Sequence, residues 1–138
     1  MFKKLGRDAV ERWHKNPIIT LDSVPFPCNT VFNAGCTKFG DEYILLLRVE
    51  DLSGRSVFAL ARSDDGYHFS VDPEPAMEPS KEEPFRSYER RGIEDPRITI
   101  LEGEYYIMYT AYSRYGARLA LAKTNDFRNY TRLGLISQ

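Results

Sequence analysis

The chain has 138 residues, of which 42% are apolar and 28% charged, a composition typical of one compact globular unit. Its 19 Lys and Arg nearly balance its 20 Asp and Glu, and the formal charge of -1 argues against a nucleic-acid partner. Every apolar run is far shorter than the roughly 20 residues of a membrane-spanning helix, and no apolar segment follows the basic residues after Met1. The sequence therefore predicts a cytoplasmic protein with no membrane partner.

The first 27 residues are predicted to be a lead-in segment before the main fold. Within it, residues 7–15 would place Val10 and Trp13 on one side of a short helix that Asn16-Pro17 ends. From residue 28 onward the pattern changes to short runs rich in β-branched and aromatic residues, which are typical of strands. The predicted strands are residues 30–32, 42–49, 56–63, 97–101, 104–112, 117–123 and 130–133.

Glycine-containing segments separate several of these runs and favour tight turns, because glycine tolerates positive φ. They lie at residues 39–42, 64–66, 101–104 and 115–116. Residues 72–92 instead contain four prolines among mixed charges, and proline lacks the amide hydrogen that a central strand needs. This stretch is predicted to be a long, functional loop.

The chain also contains an internal repeat, since residues 42–65 resemble residues 104–126. Gly54 and Gly116 lie 62 residues apart, and Ala61 and Ala122 lie 61 apart. Each period holds four short strands, which is typical of one blade of a β-propeller. The predicted fold is all-β, with about two four-stranded antiparallel blades after the lead-in. We place the first blade and long loop at residues 28–92 and the second blade at 93–138, within a single unit.

Two blades alone would leave unpaired strand edges and an uncovered apolar face, because known propellers close with about 4–8 blades. Three interpretations follow. In the first, the chain is the N-terminal part of a longer propeller. In the second, it completes itself as a homo-oligomer that covers the exposed edges, and in the third the same strands form a two-sheet sandwich.

The most unusual string is Arg90-Arg-Gly-Ile-Glu-Asp-Pro-Arg97, which sets two carboxylates among three arginines at a strand entrance. Pro96 disfavours helical backbone at Asp95, so we expect Asp95 to be extended and only one of Glu94 and Asp95 to face a given site. A surface ion-pair network is the alternative interpretation.

A second charged cluster, Arg48-Val-Glu-Asp51, ends an otherwise apolar strand. A guanidinium at such a strand end suits sugar hydroxyls, carboxylates or phosphate, although a strand-capping ion pair explains it equally well. Tyr106, Tyr109 and Tyr112 could stack on sugars or simply pack across strands. The two cysteines and two histidines lack the spacing of metal ligands, so no metal site is predicted.

Taken together, several motifs resemble glycoside hydrolase family 130 from about residue 16 to the end. They are Asn16-Pro-Ile-Ile19, Val31-Phe-Asn-Ala-Gly35, Leu47-Arg-Val-Glu-Asp51, Ala61-Arg-Ser-Asp-Asp-Gly66, Gly92-Ile-Glu-Asp-Pro-Arg97 and Tyr109-Thr-Ala-Tyr-Ser113. The resemblance implies a five-bladed propeller that acts as a β-1,4-mannosyl phosphorylase-like enzyme of glycosyltransferase type. Its substrates would be a β-mannoside oligosaccharide and inorganic phosphate, the latter a co-substrate, with no cofactor and α-mannose 1-phosphate as the product.

The resemblance also implies residue roles. Asp95 matches the family's general acid, and Asn33 and Arg48 match residues that line the mannosyl pocket. Asp51, Glu94 and Arg97 are expected to bind substrate beside them, and Arg114 matches a phosphate-contacting arginine. One acid is enough in this chemistry, because phosphate is itself the nucleophile and needs no general base.

Two other functions remain open at the level of sequence. The first is a β-mannoside hydrolase on the same propeller, in which water replaces phosphate as the nucleophile and a second carboxylate acts as the general base. A non-catalytic propeller fragment, inactive alone, would use its charged clusters only for structure.

Overall fold

The computed structural model describes residues 12–137, in which nearly all regular structure is β. The strands of this range are β1 (Cys28–Phe39), β2 (Glu42–Asp51), β3 (Ser56–Ser63), β4 (Ser70–Val71), β5 (Gly92–Leu101), β6 (Glu104–Ser113), β7 (Gly116–Thr124) and β8 (Thr131–Leu135). A 3-10 helix at Leu21–Ser23 precedes β1, and one helical turn, α1 (Phe85–Tyr88), lies between β4 and β5. The all-β prediction is confirmed.

The strands form two consecutive antiparallel meanders, one from β1 to β4 and one from β5 to β8. A single parallel residue pair, Ser56 of β3 with Gly92 of β5, joins them into one open eight-stranded sheet. The strands do not close into a ring within the described part of the chain. Two successive four-stranded units are what the sequence repeat predicts, whereas the domain limits drawn from that repeat stay a prediction.

A buried cluster between the two meanders forms the main core. It contains Ile44, Leu46, Phe58, Leu60 and Met77 from the first half, and Ile93, Ile107, Tyr109, Ala111, Ala120, Ala122 and Phe127 from the second. On the other face of the first meander, a second cluster packs beneath Val24 of the lead-in segment. Because β3 is covered on both faces, it has a nearly continuous apolar sequence rather than an alternating one.

The second meander is covered on one face only. Its opposite face exposes Met108 on β6, Leu119 on β7 and Leu133 on β8. This exposed apolar surface agrees with the uncovered face that the sequence predicts for a pair of blades, and apolar patches of this kind mark interaction surfaces.

Turns at the end of β3 and of β7 repeat the same hydrogen-bond pattern. After β3, Oδ1 of Asp65 accepts from the backbone amides of Tyr67 and His68 at 2.8 Å each, and from the Ser63 hydroxyl at 3.0 Å. His68 closes the turn, with its Nδ1 2.7 Å from Oδ2 of Asp65.

After β7, Asp126 takes the place of Asp65. Its Oδ1 accepts from the amides of Arg128 and Asn129 at 2.8 Å each, and from the Thr124 hydroxyl at 3.2 Å. Asp65 and Asp126 lie 61 residues apart, which confirms the period derived from the sequence.

These two turns should make the protein sensitive to acid. Hydrogen bonds from His68 hold the pKa of Asp65 well below its usual range, and backbone amides do the same for the pKa of Asp126. Both carboxylates therefore stabilise the fold above the unfolded pKa of about 3.9, and this stabilisation is lost as the pH falls toward their lower folded values. We expect the Asp65→Asn/Asp126→Asn protein to lose less stability between pH 5 and pH 2 than the wild type.

Urea unfolding at each pH measures this difference. Asp64→Asn is the matched control, because Asp64 is an exposed neighbour that accepts no hydrogen bond within residues 12–137. An equal acid sensitivity of the double variant and the wild type would contradict the prediction.

Tight turns form at the predicted glycines, where Gly40, Gly66, Gly103 and Gly116 all have positive φ. The predicted helix over residues 7–15 lies largely outside the described residues. For the described part, residues 12–15, the helix prediction is wrong. The chain forms a turn there instead, in which the Asn16 amide donates to the Trp13 carbonyl oxygen at 3.0 Å. No helix in the described chain is long and apolar enough to cross a membrane.

The segment between β4 and β5 is a loop, as predicted, and a buried carboxylate anchors it. Glu89 has a relative exposure of 0% and accepts from the Tyr109 hydroxyl at 2.6 Å and from the Ser80 amide at 2.7 Å. Arg132 on β8 forms a salt bridge with the same carboxylate at 2.8 Å. The side chain of Glu89 thus ties the loop to β6 and β8, directly before the string that begins at Arg90.

Candidate active site

Arg48 on β2 brings both predicted carboxylates together. Its Nη2 lies 2.8 Å from Oε1 of Glu94, and its Nη1 donates to Oδ1 of Asp95 at 3.1 Å. The Nε of the same guanidinium donates to the Ser56 hydroxyl at 3.0 Å. Arg48 and Glu94 are largely buried, whereas the side chain of Asp95 is 48% exposed. The arrangement leaves a carboxyl group that is held from the protein side and accessible from solvent.

The expectation that Asp95 is extended, so that only one carboxylate faces a site, is wrong. Asp95 has φ 53°, in the left-handed region, and the pairing of β5 with β6 is irregular between Glu94 and Arg97. An irregular ladder of this kind re-aims side chains, and strained backbone concentrates at functional sites. In this protein the irregular backbone lets the side chains of Glu94 and Asp95 both contact the guanidinium group of Arg48.

Asn33 on β1 is the third contact of this cluster. Its amide orientation is assigned from its hydrogen-bond partners: the nitrogen donates to Oδ1 of Asp95 at 2.9 Å, and the oxygen accepts from Nη1 of Arg97 at 3.1 Å. The β1–β2 ladder is irregular between Val31 and Ala34, which frees the intervening residues from regular pairing. The structure thus brings together five of the predicted site residues: Asn33, Arg48, Glu94, Asp95 and Arg97.

Two side chains in this cluster are not found by sequence reasoning. The Arg48 guanidinium lies 4.5 Å from the centre of the Phe32 ring, and Ser56 accepts from its Nε. Phe32 precedes Asn33 within the motif of residues 31–35, so its place in the sequence offered a signal. Nothing in the sequence distinguishes Ser56 from other strand serines.

Two glycines allow the strands that carry the cluster to approach closely. A Cβ at Gly35 would lie 2.9 Å from the backbone oxygen of Pro96, so β1 can lie against the irregular part of β5 only because residue 35 is glycine. A Cβ at Gly92 would lie 2.6 Å from the backbone nitrogen of Ser56, and Gly92 also has φ 131°. The link between the meanders therefore requires glycine at residue 92.

We expect Gly92→Ala to destabilise the protein by about 3 kcal/mol, because backbone strain of about 1–3 kcal/mol adds to a backbone clash. Gly103→Ala is the matched control, since Gly103 also has positive φ (82°) but faces open space. Thermal unfolding of both variants tests this difference. Equal losses of stability in the two variants would contradict the prediction, because the close approach of the Ser56 backbone to residue 92 would then add no destabilisation.

Asp51, predicted to bind substrate, does not join the cluster. Its Oδ1 accepts from the amides of Ser53 and Arg55 at 2.8 and 3.0 Å, and from the Ser53 hydroxyl at 2.6 Å. The carboxylate of Asp51 therefore closes the turn between β2 and β3.

Arg114, predicted to contact phosphate, lies in the turn between β6 and β7 and lines a cavity of about 400 Å³. The other lining residues are Ser87, Arg90, Arg91 and Tyr115. The Arg114 side chain stacks 4.8 Å from the Tyr115 ring centre and donates to its hydroxyl. The cavity therefore brings together three exposed arginines, and none of them has a salt-bridge partner within the described residues.

The three tyrosines of β6 have different environments. Tyr109 is buried in the core, where burial and the neighbouring Glu89 raise the pKa of its hydroxyl far above the usual value. The Tyr106 hydroxyl donates to the carboxylate of Glu104. The ring centre of Tyr112 lies 5.8 Å from the guanidinium carbon of Arg91. Among residues 12–137 no group of three or more potential ligand side chains is arranged to hold a metal ion.

Comparisons with known proteins agree with the resemblance in the motifs. A family model described as beta-1,4-mannooligosaccharide phosphorylase of glycoside hydrolase family 130 matches residues 8–138. A beta-1,2-mannobiose phosphorylase from Listeria innocua is 27% identical over 92% of this chain and 51% of its own length. A 1,2-beta-oligomannan phosphorylase from a Thermoanaerobacter species is 30% identical over 77% of this chain and 38% of its own.

Solved structures show the same similarity. A crystal structure of a glycosyl hydrolase from Bacteroides ovatus superposes with a TM-score of 0.80 at 31% identity, over 91% of this chain and 41% of that chain. The Listeria innocua phosphorylase in complex with beta-1,2-mannobiose gives 0.76 at 26% identity, over 92% and 51%.

These relatives are carbohydrate-active enzymes that act on glycosidic bonds. The chain belongs to glycoside hydrolase family 130. It spans about half the length of the Listeria relative and less of the other two.

Proposed function

We propose that this protein cleaves β-mannosides with inorganic phosphate and releases α-mannose 1-phosphate, with Asp95 as the general acid. One observation carries the proposal. Oδ1 of Asp95 accepts from Arg48 and Asn33, whereas Oδ2 has no hydrogen-bond partner within residues 12–137. A half-exposed carboxyl group anchored through one oxygen can carry a proton on the other and present it to a bound substrate.

In the proposed reaction, a phosphate oxygen attacks the anomeric carbon of the mannosyl unit from the face opposite the leaving group. The bond from that carbon to the glycosidic oxygen breaks, and its electron pair stays on the departing oxygen. Asp95 supplies the proton to that oxygen, through the 3-hydroxyl of the sugar, and becomes a carboxylate. Arg48 and Asn33 orient Asp95 and the sugar hydroxyls during this step, so that the product forms with inversion.

The arginine cavity supports phosphate over water as the nucleophile. Arg90, Arg91 and Arg114 present guanidinium groups without carboxylate partners in the described residues, and guanidinium groups bind phosphate oxygens in bidentate fashion. Water needs no such charge but does need a general base. In the proposal, the later blades of a five-bladed propeller complete this phosphate site, and the exposed face of the second meander packs against the next blade or another copy.

Product analysis tests the proposal directly. We would take the protein with its propeller ring completed, by later blades or by further copies, and incubate it with β-1,2-mannobiose and with β-1,4-mannobiose. Both linkages are needed because the relatives and the family model differ in the linkage that they name. Mannose 1-phosphate that forms only when phosphate is present is the expected result. Free mannose without a phosphate requirement would indicate a hydrolase, and no cleavage of either disaccharide would contradict the proposal.

The role of Arg114 has a separate test. We expect Arg114→Gln to raise the KM for phosphate by about tenfold or more, the loss of one charged contact, with little change in the KM for the mannoside. Arg118→Gln is the control, because Arg118 lies on β7 outside the cavity lining. An unchanged KM for phosphate in Arg114→Gln would remove Arg114 from the phosphate site.

A further inference from the structure

Phe32 is the aromatic contact of the guanidinium that holds the two carboxylates. The Arg48 guanidinium carbon lies 4.5 Å from the Phe32 ring centre, within the range of a cation–π interaction. The ring is 45% exposed and also lines an apolar cavity of about 600 Å³ between the lead-in segment and β1 and β2. Phe32 therefore borders both the charged cluster and an apolar surface.

The contacts of Arg48 with its polar partners all run from the edge of its guanidinium. Nε donates to Ser56, Nη1 to Asp95, and Nη2 lies against Glu94. Edge contacts with three separate groups need one fixed orientation of the guanidinium plane. A ring centre 4.5 Å from the guanidinium carbon packs against this group and limits the orientations that it can adopt.

The backbone of β1 places the ring there. The β1–β2 ladder is regular from Ala34 onward but irregular between Val31 and Ala34, so Phe32 and Asn33 lie in the same unpaired stretch. Asn33 contacts Asp95 while Phe32 contacts Arg48. One irregularity in β1 thus directs two neighbouring side chains to the same cluster.

We propose that Phe32 is a positioning residue, which acts through Arg48 by fixing its guanidinium in the plane that reaches Glu94, Asp95 and Ser56. An aromatic ring at this position is required, and an aliphatic side chain of similar size does not replace it. The effect on turnover rests on the proposed function, whereas the effect on Arg48 does not.

The first test observes Arg48 itself. We would record the side-chain Nε–H signal of Arg48 by NMR, identified by its loss in Arg48→Lys, and measure its exchange with water. Phe32→Leu is expected to speed this exchange by about tenfold, the loss of one cation–π contact to a partly buried guanidinium. Phe32→Tyr is expected to keep the slow exchange, because the ring is retained.

Tyr43→Leu is the matched control, since it removes a stack of Tyr43 with Lys38 at 4.7 Å on the same two strands. It should leave the Arg48 signal unchanged. If Phe32→Leu exchanges as slowly as the wild type, or if Tyr43→Leu speeds exchange equally, the proposal is overturned.

The second test uses turnover. Phe32→Leu should lower kcat/KM for the mannoside by about tenfold with an unchanged KM for phosphate, and Phe32→Tyr should restore it. A wild-type protein that makes no mannose 1-phosphate with its propeller ring complete contradicts the proposed function, while the NMR measurement still decides the role of Phe32. Slower turnover that tracks a lower Tm in both Phe32 variants would show a merely structural role and overturn the proposal.

Discussion

Replacing Asp95 with asparagine is expected to abolish phosphorolysis while sparing mannoside binding. Asparagine keeps the shape of Asp95 and its contact with Arg48, but it cannot give a proton to the leaving oxygen. Removal of a general acid lowers turnover by about 10²–10⁴-fold. We would measure the initial rate of mannose 1-phosphate release, and the dissociation constant of the mannoside by calorimetry.

A good leaving group provides an internal check on this result. An aryl β-mannoside whose phenol leaves as the anion needs little protonation, so Asp95→Asn should retain much more of the wild-type rate on it. Asp41→Asn, at an exposed turn position between β1 and β2, is the control and should behave as wild type on both substrates. Full activity of Asp95→Asn on the natural disaccharide would end the assignment.

The largest loss of stability is expected from Glu89→Ala. The substitution leaves the Arg132 guanidinium without its carboxylate and deprives the Tyr109 hydroxyl and the Ser80 amide of their acceptor. Removing one partner of a buried ion pair costs about 3–5 kcal/mol. This is a large fraction of the total stability of an ordinary domain, which is about 5–15 kcal/mol.

Urea unfolding measures this cost. Glu104→Ala is the control, because Glu104 forms a comparable salt bridge with Lys123 at 2.7 Å on the surface of the second meander. Exposed pairs contribute little, so this variant should lose much less stability. A similar loss in the two variants would mean that burial of Glu89 adds nothing.

Most of the fold was predictable because it depends on local patterns. Apolar residues in Glu42–Asp51 and Ser56–Ser63 are dense enough to identify buried strands, and positive-φ glycines mark the turns. The repeat could be found because both Asp65 and Asp126 close a turn through the same side-chain contacts. Two strands were predicted too short. In β1 the missed residues 34–39 pair regularly with β2, but their sequence Ala-Gly-Cys-Thr-Lys-Phe has few of the large apolar residues that identify a strand. In β5 the missed residues 92–96 include the irregular stretch between Glu94 and Arg97.

The grouping of the site residues was predicted only through the family resemblance. Arg48 and Asp95 are 47 residues apart, and spacing along the chain does not show that they touch. The left-handed backbone of Asp95 was also hidden, because proline at the next position favours extended backbone. Asp51 shows the converse error: a carboxylate beside a cluster in sequence is engaged by its own turn.

The unequal covering of the two meanders implies an uneven resistance to local opening. Amide hydrogens of β3, enclosed on both faces, should exchange with solvent only when the whole molecule unfolds. Amides of β8 lie at the sheet edge beside the exposed apolar face and should exchange through fraying of that strand. The salt bridge from Arg132 to Glu89 is one contact that opposes this fraying and that links β8 to the loop, so the loop and the last strand should open together.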